Sequence, residues 1–235
     1  MSGYILLAGG AEFDGRMASP DQRAIYLAGG SGVPVRIIPA AAAPDNNHIL
    51  AGDNGLRWFK GLGAKDVTSL ELVDRASADR EDIVAELRNA RLFYLLGGSP
   101  THLYSSLAGS RGWQAVLDAH QEGAVIAGSS AGAMVLCSHF FDPYTREVME
   151  GLNLVPNACV LPHYTSFGRH WVKRLQATLP QTMLPQIALI GIEEQTAAIN
   201  DGEQGRWTVY GKGHVTLIRG DTIRVYARGE GFELV

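Results

Sequence analysis

Short apolar runs alternate with helix-spaced segments through the first part of the chain. The apolar runs cover residues 4–8 (YILLA), 35–39 (VRIIP), 67–72 (VTSLEL), 92–96 (LFYLL) and 124–127 (AVIA). Helices are predicted between them, over residues 21–28, 48–62, 79–90 and 113–121. Within 79–90, Ile83, Val84 and Leu87 repeat at the 3.6-residue spacing that puts apolar side chains on one helical face. Strand–helix–strand alternation of this kind predicts βαβ units, hence a mostly parallel sheet with helices on both faces. Ligands bind such sheets at the carboxyl ends of the strands. Here those ends carry Gly9-Gly10, Gly97-Gly98 and Gly128-Ser129-Ser130.

The last fifty residues read differently. Strands are predicted over 187–192, 196–199, 207–210, 214–218 and 222–226, separated by turn signals such as Asn200-Asp201-Gly202 and Gly211-Lys212-Gly213. The expectation is an antiparallel meander attached to the parallel sheet. No linker, repeat or low-complexity segment interrupts the chain, so one α/β domain over residues 1–235 is expected.

Composition narrows the function classes. Apolar residues make up 46% of 235, enough for a sizeable core. The net charge of −4 gives no electrostatic reason to expect nucleic acid or an anionic membrane as partner. Cys137 and Cys159 lie in no CxxC pair, so zinc and iron–sulfur readings have no support, and two buried free thiols are expected. The first residues form no signal peptide and no apolar run reaches membrane-spanning length, so the expected setting is the cytoplasm.

The stretch AVIAGSSAGAMVL carries the most chemistry. Gly128-Ser129-Ser130-Ala131-Gly132 fits G-x-S-x-G between a predicted strand and a helix-prone segment. This is the nucleophile-elbow pattern: a strained strand-to-helix turn that lifts a serine hydroxyl above the sheet and aims a helix N-terminus at it. The pattern centres on Ser130 and makes the Ala131 amide one oxyanion donor. The plainer alternative is a tight turn with a serine N-cap. A nucleophilic serine needs a base. His163, just after the apolar stretch 158–161 and Pro162, is the best-placed of seven histidines. A third group should orient it. Glu193 and Glu194, between two apolar runs, are candidates, with Asp142, Glu147 and Glu150 as rivals. Gly98, at the end of LFYLL, is a candidate second oxyanion donor.

These landmarks occur in an order that resembles the peptidase E and cyanophycinase family of serine peptidases. They are YILLAGGAEF, FYLLGGSPTHL, IAGSSAGAMVL, GLNLVPNACVLPHY, IGIEEQTAAI and VYGKGHVTLI, and they span nearly the whole chain. The resemblance implies a fold similar to class I glutamine amidotransferases, with serine in place of their cysteine. It implies Ser130 as nucleophile, His163 (in PHYT, similar to the PHFT of peptidase E) as base, and Glu194 rather than Glu193 as the third member. It implies Gly98 and Ala131 as oxyanion amides, a small peptide as substrate, and no metal or organic cofactor. It leaves open whether the protein is a monomer or a homodimer. Peptidase E also uses an acidic residue between serine and histidine, where Asp142, Glu147 and Glu150 compete.

Departures from the pattern bear on substrate. Cyanophycinases carry an Asp-Gln pair before the histidine and several arginines after it. This chain has Leu161-Pro162 before it and only Arg169 and Arg174 soon after, which argues against cyanophycin. Peptidase E prefers an N-terminal aspartate, and Arg169 is the candidate to receive such a carboxylate. Glu12, following Gly9-Gly10, is the candidate for a substrate ammonium. A serine esterase or amidase, and a non-catalytic binding module of the same fold, are the competing function classes.

Overall fold

A computed structural model describes residues 3–178 and 186–234. Five strands form its parallel core: β1 (Ile5–Ala8), β2 (Pro34–Ile38), β3 (Asp66–Ser69), β4 (Leu92–Leu95) and β5 (Val125–Ser129). They stand in the order β1-β5-β4-β2-β3, every neighbour parallel. β1, β4 and β5 are buried at every position, as expected of parallel strands covered on both sides. Side chains alternate between two cores. Leu7, Phe93, Leu95 and Ile126 pack on one face, under α4 (Glu81–Asn89), α5 (Pro100–Leu107), α6 (Arg111–Gln121) and α7 (Ala131–Leu136). Leu6, Ala8, Tyr94 and Val125 pack on the other, under α1 (Ala18–Leu27) and α2 (His48–Gly61). The four predicted helices form. The one expected over 79–90 is preceded by a separate turn, α3 (Arg75–Ala78), capped by Asp74 through Ser77.

The C-terminal strands do not form the single meander expected from the turn signals. They divide between two sheets. β10 (Thr196–Ile199), β11 (Trp207–Gly211) and β14 (Gly231–Phe232) extend the main sheet antiparallel beyond β1. β12 (Val215–Arg219) and β13 (Thr222–Tyr226) instead join β9 (Ala188–Ile192) and β8 (Ala158–Leu161) in a second sheet, where β8 and β9 run parallel. Turn residues specify a local reversal but not which strand receives the next pairing. Here Gly211, at φ +96, ends β11, and the chain then crosses to the second sheet.

Helix spacing did not mark α5, whose Ser99 N-cap and Pro100 start it directly after the glycine turn. Nor did it mark the hairpin of β6 (His139–Phe141) and β7 (Val148–Glu150). α8 (Arg169–Thr178) lies against the outer face of the second sheet, with Leu175 among Cys159, Leu161 and Leu189. Cys137 and Cys159 are buried free thiols. Burial pushes both up, Cys159 to about 12, which leaves them unreactive. No helix among the described residues is long and apolar enough to cross a membrane.

Candidate active site

Ser130 occupies the single-residue turn between β5 and α7, at φ 49° and ψ −112°. A side chain rarely adopts this backbone, and it costs of order 1–3 kcal/mol unless the surroundings hold it. Three contacts do so. The Ser130 amide donates to the Ala8 carbonyl at 3.0 Å, and the Met134 amide donates back to the Ser130 carbonyl at 3.0 Å. Gly132 packs so close to β4 that a Cβ there would stand 2.2 Å from the Leu95 carbonyl oxygen. The second glycine of the motif is therefore needed for helix–strand approach. The Ser129 side chain is fully buried, whereas Ser130 is partly open to solvent.

The structure brings His163 and Glu194 to this serine from the second sheet. His163 follows β8, and its amide donates to the Gly9 carbonyl at 2.7 Å. That bond ties the end of the second sheet to the end of β1. His163 Nε2 lies 3.0 Å from Ser130 Oγ, and His163 Nδ1 lies 2.9 Å from Glu194 Oε1. With Nδ1–H donating to the carboxylate, Nε2 is left to accept the serine proton. The Phe167 ring stacks on the imidazole at 4.8 Å. Glu193, the neighbouring acid, turns the other way and accepts from the His214 amide at 2.9 Å. The sequence pattern left these two glutamates equivalent. Both lie in the tight connection between β9 and β10, where Gln195 turns at φ 55°.

Gly10 was not singled out by its sequence pattern as touching the histidine. It sits at φ +117°, and a Cβ there would lie 2.2 Å from His163 Cε1. Gly10→Ala is therefore expected to push the imidazole off its line. We expect kcat to fall about 10²-fold, the typical cost of a 1 Å misplacement. Steady-state kinetics check this, and unchanged kcat would show that the ring has another rest position.

Gly98 lies at φ +138°, where a Cβ would meet the Ala41 carbonyl oxygen at 2.2 Å. Its amide finds no acceptor among the described residues. The Ala131 amide opens α7 and, as the first amide of a helix, has no intrahelical acceptor. Both expected oxyanion donors are thus uncommitted.

The remaining candidates lie elsewhere. Asp142 is buried and closes the β6–β7 hairpin, taking the Tyr144 amide at 2.7 Å and the Thr101 hydroxyl of α5. Glu147 and Glu150 are exposed on that hairpin. In the structure Glu194, not one of these three, is the carboxylate on His163. The Arg169 guanidinium lies over the Tyr164 ring, 5.3 Å from its centre. It lines a groove of about 530 Å³ between α8 and β13 together with Lys173 and Val225. Glu12 does reach the rim, where one carboxylate oxygen accepts from Ser129 Oγ at 2.7 Å.

A strained serine at a strand-to-helix turn, hydrogen-bonded to histidine and through it to glutamate, points to acyl transfer. The profile of peptidase family S51 matches residues 5–208. The chain belongs to this family. A cyanophycinase from Geminocystis herdmanii is 27% identical to it over 96% of this chain and 84% of its own length. Peptidase E from Escherichia coli is 28% identical over 63% of this chain and 64% of its own. Among solved structures, a peptidase from an acI-B1 Actinobacterium superposes with a TM-score of 0.84 at 27% identity, covering 99% of this chain and 97% of that one. A putative peptidase E protein from Listeria monocytogenes, 18% identical, superposes with a TM-score of 0.61 over 98% of this chain and all of its own, and shares the fold. As an S51 member the protein is a peptidase.

Proposed function

We propose that this S51 peptidase hydrolyses small peptides through a Ser130–His163–Glu194 triad. The observation that carries the reading is the continuous hydrogen-bonded line from Ser130 Oγ through His163 to Glu194. Ser130 Oγ attacks the scissile carbonyl carbon, and the proton it loses passes to His163 Nε2. The Gly98 and Ala131 amides receive the oxyanion, and losing one such donor costs about 10²–10³ in turnover. His163 then protonates the leaving amine, and water releases the acyl group by the same steps reversed. Glu194 holds the Nδ1–H tautomer and stabilises the imidazolium.

A dipeptide library tested against p-nitrophenyl esters checks the substrate class. Peptide cleavage faster than ester cleavage supports the reading, and ester turnover alone would replace it by an esterase. The preference for an acidic first residue rests on Arg169. In the structure the Arg169 guanidinium lies over the Tyr164 ring. Enrichment of Asp-Xaa peptides that disappears in Arg169→Met would support this finer reading. A flat profile would remove it.

A further inference from the structure

Beneath the elbow lies a cluster of polar groups, Glu12, Asp21 and Tyr94, that the proposed reaction does not use. Glu12 sits at its top. One oxygen accepts the Ser129 hydroxyl at 2.7 Å, and the other faces the Gly97 amide at 3.4 Å. Ser129 is the last residue of β5 and Gly97 follows the end of β4, so a single carboxylate touches both strand ends. These two strands carry the two halves of the reaction centre, Ser130 on one and Gly98 on the other. The gap between them is narrow. A Cβ on Gly97 would lie 3.1 Å from Glu12 Oε1 and 3.3 Å from Ser130 Cβ.

Below Glu12, the cluster is closed to water. Asp21 and Tyr94 are fully buried, and Phe13 packs against Tyr94 at 5.5 Å. The indole N–H of Trp58 donates to Asp21 Oδ2 at 2.8 Å, while Oδ1 meets no donor among the described residues. Burial holds Asp21 in its neutral form up to about pH 7. A carboxylate acceptor makes hydrogen bonds about twice as strong as a neutral one.

We propose that Glu12 is a positioning residue: its carboxylate ties the end of β5 to the end of β4 through Ser129 and Gly97, and so sets the gap between Ser130 and the Gly98 amide. The bond to Gly97 also decides which amide of the glycine pair is committed to structure. Gly97 N–H turns down to Glu12, which leaves Gly98 N–H for the oxyanion. Each Glu12 oxygen takes one donor in this role. The inference rests on Ser130 being the nucleophile.

Glu12→Gln is the test, because it keeps the shape and removes the charge. The probe is a fluorophosphonate, whose attack by Ser130 also places charge in the oxyanion hole. We expect the maximal labelling rate to fall about 10–100-fold with the half-saturating concentration unchanged within about 2-fold, the signature of an interaction made in the transition state. The double variant Glu12→Gln/Ser129→Ala is expected to label no slower than Glu12→Gln alone, because both remove one tether. A wild-type labelling rate in Glu12→Gln, even with a lowered melting temperature, would overturn the inference alone. Absence of label on wild-type Ser130 would overturn the nucleophile assignment and this inference with it. If Glu12→Gln does not fold, Ser129→Ala reads the same tether. A slowed rate at unchanged half-saturation supports it, and a wild-type rate overturns it.

Discussion

Ser130→Ala is expected to abolish peptide hydrolysis, with kcat lowered by at least about 10⁴-fold, and to leave the fold intact. Removing the serine of a triad costs about 10⁶ in a well-studied protease, because the covalent route is lost altogether. Any residue of activity would come from the oxyanion amides acting on water. Stability should move little. Ser130 has one side-chain bond, to His163, and that bond lies at a partly open rim. Alanine at φ 49° keeps the strained backbone that serine has. Glycine would not, so Ser130→Gly is expected to be equally inactive yet about 1 kcal/mol more stable. Thermal melts and dipeptide hydrolysis on the three proteins check both statements. Turnover within 10-fold of wild type in either variant would remove Ser130 from the mechanism. A lower melting temperature in Ser130→Gly would show that the turn stores no strain.

The second large effect concerns stability. Asp21 is fully buried, and burial is the main cause that pushes its carboxyl from 3.8 up to about 7, with the Glu12 charge adding to it and the Trp58 bond opposing. The buried Tyr94 hydroxyl also lies in this cluster, and burial holds it well above its ordinary range. The folded state therefore binds the Asp21 proton more tightly than the unfolded chain does. Stability falls as pH rises from about 4 to about 7, and stays at the lower level above that. The difference between the two values corresponds to about 4 kcal/mol. Asparagine fills the same space and does not ionise. Asp21→Asn is thus expected to melt about 5 °C or more above wild type at pH 8.5, and within about 2 °C of it at pH 4. Melting curves across that range check it. A gain that is constant with pH, or a loss at pH 8.5, would show that Asp21 is ionised in the folded protein or that its charge has a stabilising partner.

The parallel core was legible because its signal is local. A strand covered on both faces must be apolar throughout, as in LFYLL, and a helix over 81–89 must repeat every 3.6 residues, as Ile83, Val84 and Leu87 do. The position of the strained serine was legible for a similar reason. An elbow needs small residues two places to either side of the serine, and Gly128 and Gly132 supply them within five residues of sequence. What escaped detection was non-local. The turn at 211–213 reads as a hairpin, yet the chain crosses there from one sheet to another, and nothing in a turn residue encodes that choice. Asp142 was a plausible third acid by its place between Ser130 and His163. It is instead spent on its own hairpin and on Thr101.

The sequence by itself determined the α/β class, the alternation of the five core strands with their helices, and the strained serine, because each depends on residues a few positions apart. Its ordered landmarks also pointed to the family. The resemblance selected Glu194 over Glu193, and only the tertiary structure showed that Glu193 faces His214, that Gly10 backs the imidazole, and that Glu12 spans two strand ends. The placing of the glutamates and of Gly10 against the imidazole depends on how the second sheet docks against the ends of β1 and β5. Docking is set by packing among residues as far apart as Gly9 and His163, and no short stretch of sequence contains it.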